Sequence, residues 1–124
     1  MRQSYMYVAS AYTHANRQIE WERYLSVMDF MTWLARHSDV VPYSPILHCH
    51  DWADRHELPK DADWWRKQNS CMLRNASGLY VLMFDGWNES KGVTQERQLA
   101  RDLAIPITGW TSTLTGYFPQ PLVL

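Results

Sequence analysis

The hydrophobic and polar positions follow different periods in different parts of the chain, and four short apolar runs predict strands. The runs at 5–10 and 78–84 are rich in strand-forming residues, and the second is continuous, which is typical of a central parallel strand covered on both faces. Residues 40–46 predict another short strand, which two prolines restrict to a sheet edge or to an early end. Residues 105–108 supply the fourth predicted strand.

Between these runs the apolar positions recur at helical spacing. One long amphipathic helix is expected over 16–37, with Glu20 and Arg23 available for solvent. A second helix is expected over about 61–75, where an aspartate can cap its start, and a third over 93–103. The order of elements is therefore predicted to be β-α-β-α-β-α-β.

This alternation predicts an α/β fold, which is a single flavodoxin- or Rossmann-like domain over residues 1–124. Its sheet is expected to have four to five mostly parallel strands, with helices on both faces. The core is expected at about 5–109, the polar segment 48–61 as a long loop, and 110–124 as a C-terminal arm or an edge extension. Ligands in such sheets bind at the carboxyl ends of the strands, near the point where strand order reverses.

Composition narrows the function classes. A chain of 124 residues that is 46% hydrophobic and 20% charged is expected to fold as one domain. A net charge of -1 argues against polymeric nucleic acid as a partner but leaves a nucleotide possible. Two cysteines and no apolar stretch of membrane-spanning length predict a cytoplasmic protein, or one in the host cytoplasm if phage-encoded, without a membrane partner. Seven Trp and seven Tyr indicate a ligand site or a contact between subunits.

Two groups of polar residues follow the first and the central predicted strands, and a parallel topology sets them side by side. The first group lies beside a helix start, where free backbone N–H groups favour a phosphate or carboxylate. It comprises Ser10, Tyr12, His14 and Arg17. The second, 85–96, mixes carboxylates, an aromatic ring, a hydroxyl and a glycine, which suits a sugar and a base. Glu96 can point back toward the strand ends, or it can simply complement the helix dipole.

Several short motifs resemble the phage and bacterial branch of the nucleoside 2-deoxyribosyltransferase-like superfamily. They are Tyr7-Val8-Ala9-Ser10-Ala11-Tyr12, Ser44-Pro45-Ile46 with His48 and His50, Asp85-Gly86-Trp87, and Ser90 with Gly92, Val93 and Glu96. The likeness covers about residues 5–109. Its most specific element runs from Ser90 to Glu96, because a fixed helix-start geometry is needed to aim one carboxylate at a sugar.

The resemblance implies cleavage of an N-glycosidic bond in a (deoxy)nucleoside or nucleoside 5′-monophosphate, without a cofactor. Glu96 would be the nucleophile at C1′, where departure of the base leaves oxocarbenium character that a carboxylate can stabilise. By the same comparison Asp85 would hold sugar hydroxyls and Tyr12 would orient Glu96. The pocket for the sugar or phosphate would be lined by Ser10, Ser90 and Gly92. Relatives usually assemble as homodimers or higher homo-oligomers.

The sequence departs from the superfamily pattern at two places. Many transferases have an aspartate in the helix before the central strand that contacts the base, and this chain has Asn69 there. An amide can donate and accept hydrogen bonds to a base, but it cannot act as an acid or a base. Where another aspartate is common, just before the central strand, stand Asn75, Ala76 and Ser77. Hydrolysis is slightly preferred over transfer, because a small domain leaves less room for two alternating bases.

Other constellations allow alternatives. The run 48–51 contains His, Cys and Asp, but adjacent side chains diverge and the spacing of compact zinc sites is missing, so no metal is predicted. Instead His48 or His50 is expected to face the ligand. Trp87 is expected to form an aromatic wall for the base. Trp64 and Trp65 are read as a stacking platform or as core anchors, and Lys91 and Arg97 as phosphate contacts or solvated cations.

Two further functions remain open at the level of sequence. One is a nucleotide-binding or sensing module that keeps the pocket without turnover. The other is an NAD-glycohydrolase-like activity, which also cleaves a ribosyl bond with a glutamate on a flavodoxin-like sheet. Base release separates the first from an enzyme, and nicotinamide release identifies the second.

Overall fold

A computed structural model describes residues 4–122. The strands are β1 (Met6–Ala9), β2 (Pro42–Tyr43), β3 (Gly78–Leu82), β4 (Ile107–Ser112) and β5 (Tyr117–Pro121). The helices are α1 (Arg17–His37), α2 (Pro45–Arg55), α3 (Ala62–Arg74) and α4 (Lys91–Asp102). The sheet has the order β2-β1-β3-β4-β5, in which the first four strands are parallel and β5 runs antiparallel to β4.

Successive residues of the central strands point to opposite faces of the sheet, and helices cover both faces. Tyr7, Leu79 and Val81 pack on the face that carries α3 and α4. Val8 and Leu82 pack on the other face, against α1. The predicted α/β fold, with a mostly parallel sheet of up to five strands between helices, is confirmed.

Each helix begins at a polar side chain that caps it. Asn16, Ser44, Asp61 and Ser90 accept a hydrogen bond from a backbone N–H in the first turn of α1, α2, α3 and α4, respectively. The prediction that an aspartate caps the helix before the central strand is confirmed at Asp61. The cap at Ser90 starts α4 at Lys91, two residues before the predicted start.

The predicted loop over 48–61 is wrong, because most of it belongs to α2. Ser44 and the proline at the first helical position start this helix, which also limits β2 to two residues. The helix is amphipathic, and its Cys49 packs against Trp65 of α3. Its exposed polar positions concealed the helical period in the sequence.

The C-terminal segment extends the sheet. Strand β4 continues to Ser112, and β5 then pairs with it from Ser112↔Tyr117 to Thr108↔Pro121. Two prolines are tolerated in β5 because it is an edge strand that need not donate every backbone hydrogen bond. Within residues 4–122, no helix is both long and apolar enough to cross a membrane.

Candidate functional site

A cavity of about 370 Å³ opens at the carboxyl ends of β1 and β3. The strand order reverses between these neighbours, because the chain passes from β1 to β2 on one side and later to β3 on the other. Small molecules bind at this position in open α/β sheets, and their sites span roughly 300–1,000 Å³. The first residues of α2, α3 and α4, which are Pro45, Ala62 and Lys91, all line the cavity.

Seven of the side chains and backbone positions predicted for the site line this cavity. They are Ser10, Tyr12, His14, Asn69, Ser90, Gly92 and Glu96. They come from three separate stretches of chain that the parallel topology brings to one edge of the sheet. A second groove of about 460 Å³ between α3 and α4 shares four residues with the cavity, which are Ala62, Asn69, Gly92 and Glu96.

Glu96 is half-buried on α4, and the phenol of Tyr7 donates a hydrogen bond to its carboxylate. Burial raises the pKa of Glu96 from 4.5 to about 7, although the hydrogen bond from Tyr7 acts in the opposite direction. Burial, together with the adjacent charge of Glu96, raises the pKa of Tyr7, so its hydroxyl stays protonated and remains the donor. Near pH 7 the Glu96 carboxyl is therefore divided between its neutral and its ionised forms.

The expectation that Tyr12 orients Glu96 is wrong, because the hydroxyl of Tyr12 is hydrogen-bonded to Nδ1 of His50. Tyr7 makes the contact with Glu96 because its position on β1 directs its side chain to the face that α4 covers. Tyr12 lies beyond the end of β1 and reaches α2. The ring of His50 in turn stacks on Tyr24, with centroids 4.1 Å apart. Tyr12 is thus held in the cavity wall by side chains of α1 and α2.

Two side chains of α1 that were expected to face solvent instead support the loop after β1. Glu20 is buried, and its carboxylate accepts a hydrogen bond of 3.0 Å from the backbone N–H of His14. Nη1 of Arg23 donates to the carbonyl oxygens of Tyr12 and Thr13 at 3.4 and 3.1 Å. These bonds satisfy backbone groups of a loop that has no strand partner there. The loop is therefore positioned by helix side chains.

Arg23 also lies against the loop after β3, at Gly86. This glycine has a φ of 81°, and a Cβ atom built on it would come within 2.3 Å of Nη2 of Arg23. The backbone conformation and the close approach both require glycine. Arg23 thereby contacts both of the loops that frame the cavity, a role that the amphipathic pattern of α1 did not indicate.

Arg17 and Asp85 lie outside the cavity that contains Glu96. Arg17 is exposed and forms an ion pair of 3.0 Å with Asp54. Asp85 is exposed and lines a different cavity of about 330 Å³, beside α1, which shares Ser10 and Arg23 with the first. The structure therefore does not bring Asp85 together with Glu96, because the loop after β3 directs it to the α1 side.

His48 and Trp87 also lie outside this cavity. His48 is exposed on α2, at 5.9 Å between ring centroids from Trp52. It points away because 45–55 is a helix rather than a loop over the site. Trp87 packs against the core, and the guanidinium of Arg97 lies 5.2 Å from its ring centroid. Trp65 is the tryptophan that does line the cavity.

Lys60 lines the cavity as well, beside the cap of α3, and no periodic pattern pointed to it. Its Nζ lies 3.2 Å from Asp54. Lys91, at the first position of α4, forms an ion pair of 2.6 Å with Asp63. Both lysines at the cavity therefore have carboxylate partners within the protein.

No group of three or more His, Cys, Asp or Glu side chains stands close enough to hold a metal ion in the described range 4–122. His50 bonds to Tyr12, whereas His48 lies beside Trp52 on the outer surface of α2. The intervening Cys49 is buried, and burial raises the pKa of its thiol to about 11. These three side chains point to different surroundings, as adjacent residues of a helix do.

Comparison with known proteins gives one family. A family model described as "Domain of unknown function (DUF1937)" matches residues 4–112. No curated protein matches the chain. The matched range runs from before β1 to the end of β4, so it contains every residue that lines the cavity.

Proposed function

The chain belongs to the DUF1937 family, and from the chemistry of its cavity we propose that it cleaves the N-glycosidic bond of a nucleoside or nucleoside 5′-monophosphate. The observation that carries this proposal is the Glu96 carboxyl. It is half-buried, receives a hydrogen bond from Tyr7, and lines a cavity of nucleoside size at the point where strand order reverses. The resemblance to nucleoside 2-deoxyribosyltransferase-like proteins supports the same reaction.

In the proposed reaction the ionised Glu96 carboxylate attacks C1′ of the sugar. A bond forms between C1′ and a carboxylate oxygen, and the bond from C1′ to the base nitrogen breaks. The base leaves with the electron pair and takes up a proton. Water then attacks C1′, releases the carboxylate and leaves a hydroxyl on the sugar, and the proton that the water loses balances the one taken up by the base. In the transfer variant a second base replaces the water.

The surroundings of Glu96 suit this sequence of steps. Desolvation disfavours the ionised form of the Glu96 carboxyl, and the positive charge that develops at C1′ would stabilise that form. The Tyr7 hydroxyl holds one oxygen, which fixes the orientation of the group. Asn69 lines the same cavity and can bond to a base, but it carries no titratable proton, so protonation of the leaving base falls to another group or to water.

The test is base release by the purified protein from a panel of ribo- and deoxynucleosides and their 5′-monophosphates. We expect Glu96→Ala to lower the rate by about 10³-fold or more, as removal of a nucleophile does. Glu22→Gln is the matched control, because Glu22 is an exposed carboxylate on α1 outside this cavity. Release that persists in Glu96→Ala at the wild-type rate would refute the role of Glu96.

A non-catalytic nucleotide-binding or sensing module is the second candidate. Two points favour it: the pKa of about 7 leaves part of Glu96 un-ionised at neutral pH, and Asn69 stands where the resemblance implies an aspartate. For such a module we expect thermal stabilisation by nucleotides, no base release from any member of the panel, and stabilisation that persists in Glu96→Ala.

The homo-oligomeric state and the cytoplasmic location expected from the sequence belong to the same proposal. Trp52 and Trp64 are exposed on adjoining helices, and Phe118 is exposed on the edge strand, which supports a contact between subunits. Light scattering coupled to gel filtration measures the mass, and a monomeric mass across the micromolar range would contradict the proposed assembly.

A further inference from the structure

Two polar groups in the wall of the cavity have no hydrogen-bond partner among the residues that the structure describes. Ser10 is 8% exposed, and its Oγ is buried without a hydrogen-bond partner anywhere in residues 4–122. Nε of the half-buried Arg23 is also buried and unpaired within that range. Buried polar groups of native proteins are almost always satisfied, so two unsatisfied ones in one cavity wall need a partner from outside the protein, which is either water or a group of a ligand.

The charge of Arg23 is also uncompensated. None of the ion pairs in the described part of the chain includes Arg23, whereas Lys60 and Lys91 of the same cavity pair with Asp54 and Asp63. A guanidinium that is partly withdrawn from water favours an anion as its partner. It presents several N–H donors in a fixed plane, and this arrangement matches the oxygens of a phosphate.

The position of the pair is fixed by the fold. Ser10 directly follows β1, and the Arg23 side chain lies between the loop after β1 and Gly86 in the loop after β3. Nη1 is occupied by loop carbonyl oxygens, which holds the guanidinium in place, and Nε is buried without a hydrogen-bond partner in the described range. Ser10, Arg23 and Glu96 all line the same cavity of about 370 Å³, so one ligand can reach all three.

We propose that Ser10 and Arg23 form a phosphate subsite, so that the substrate is a nucleoside 5′-monophosphate rather than a nucleoside. The sugar and base assignments in this inference rest on the proposed function, whereas the anion subsite rests on the unpaired groups alone. The phosphate would accept hydrogen bonds from the Ser10 hydroxyl and the Arg23 guanidinium, while C1′ of the same molecule lies at Glu96.

The first measurement is calorimetric binding of deoxynucleoside 5′-monophosphates, of the matching nucleosides and of inorganic phosphate. The Glu96→Gln background prevents consumption of the ligand. We expect monophosphates to bind about 10- to 100-fold more tightly than nucleosides, which is the range for hydrogen bonds to a charged group. Equal binding of the two ligand classes would overturn the subsite.

Variants then identify the groups responsible. Arg23→Met should remove most of the preference for monophosphates, and Arg23→Lys should keep part of it, because charge is retained and the planar donor set is lost. Arg97→Met is the matched control. Arg97 is the other half-buried arginine with an unpaired Nε in the described range, and it lies outside this cavity. An unchanged preference in Arg23→Met would overturn the proposal.

Ser10→Ala separates a ligand contact from a structural role. Removal of an unsatisfied buried hydroxyl leaves the free protein equally stable or more stable, whereas removal of a ligand contact weakens binding. We therefore expect an unchanged or raised Tm without ligand, together with several-fold weaker binding of monophosphates and unchanged binding of nucleosides. A lowered Tm with unchanged affinity would assign Ser10 a purely structural role and overturn its place in the subsite.

The two proposals fail in distinguishable ways. Binding of monophosphates that depends on Arg23, without base release from any compound, would refute glycosidic cleavage and leave the anion subsite standing. Base release that depends on Glu96, with equal kcat/KM for nucleosides and monophosphates in the wild-type protein, would refute the subsite and leave the reaction standing.

Discussion

Replacement of Glu96 by glutamine should stabilise the folded protein at neutral and alkaline pH. Burial raises the pKa of Glu96 from 4.5 to about 7, so the folded protein binds this proton more tightly than the unfolded chain does. The wild-type protein therefore loses stability, relative to the variant, as the pH rises from about 4.5 to about 7. Since one pKa unit is about 1.4 kcal/mol, the full difference is about 3 kcal/mol. Glutamine fills the same space and can still accept the bond from Tyr7.

Chemical denaturation of both proteins at pH 4.5 and pH 8 measures this difference. We expect a free-energy gain for Glu96→Gln that is close to zero at pH 4.5 and reaches about 3 kcal/mol at pH 8, which corresponds to roughly 10 °C in Tm for a chain of this length. The contributions of the other titrating groups to the pH dependence of stability cancel in this comparison, because both proteins share those groups. Glu22→Gln should show no such pH dependence. A gain that is equal at both pH values would refute the inference that burial holds the proton on Glu96.

Two other perturbations test the site. Tyr7→Phe removes the hydrogen bond that lowers the pKa of Glu96, so this pKa should rise further. The acid limb of the pH–rate profile for base release should then move to higher pH. An unmoved limb would contradict the hydrogen bond between Tyr7 and Glu96. Gly86→Ala should destabilise the protein by about 1–3 kcal/mol because φ is positive and Cβ would meet Arg23. Gly92→Ala is the control in thermal melts, since a Cβ atom at Gly92 would make only ordinary van der Waals contacts. An equal Tm for the two variants would argue against the packing of Arg23 on Gly86.

The spacing of apolar residues predicted most helices and strands, because this spacing is set by residues that are close in sequence. The apolar run at 78–84 and the helical spacing over 16–37 correspond to β3 and α1. The pattern failed at α2, where two histidines, a cysteine and an aspartate looked irregular. Ser44 and Pro45 are a capping residue followed by a proline at the first helical position, and this pair was the available signal for that helix.

The candidate site was only partly accessible from sequence. Topology alone places residues after β1 and after β3 at the same edge of the sheet, which is why six predicted residues, including Ser10 and Glu96, line one cavity, together with Asn69 of α3. Which loop residues turn toward that cavity depends on packing. Asp85 points to the α1 side, and Trp87 is covered by Arg97.

The sequence by itself determined the strands β1 to β4, the helices α1, α3 and α4 between them and the mostly parallel sheet, because the period of apolar residues and the chirality of crossovers are local properties. Only the tertiary structure decided that Tyr7 meets Glu96, 89 residues away, and that Arg23 turns inward to the loop after β1. Such contacts depend on the register of β1 and on the distance between α1 and the loops. Both of these are set when the helices pack on the two faces of the sheet, and no spacing along the chain encodes them.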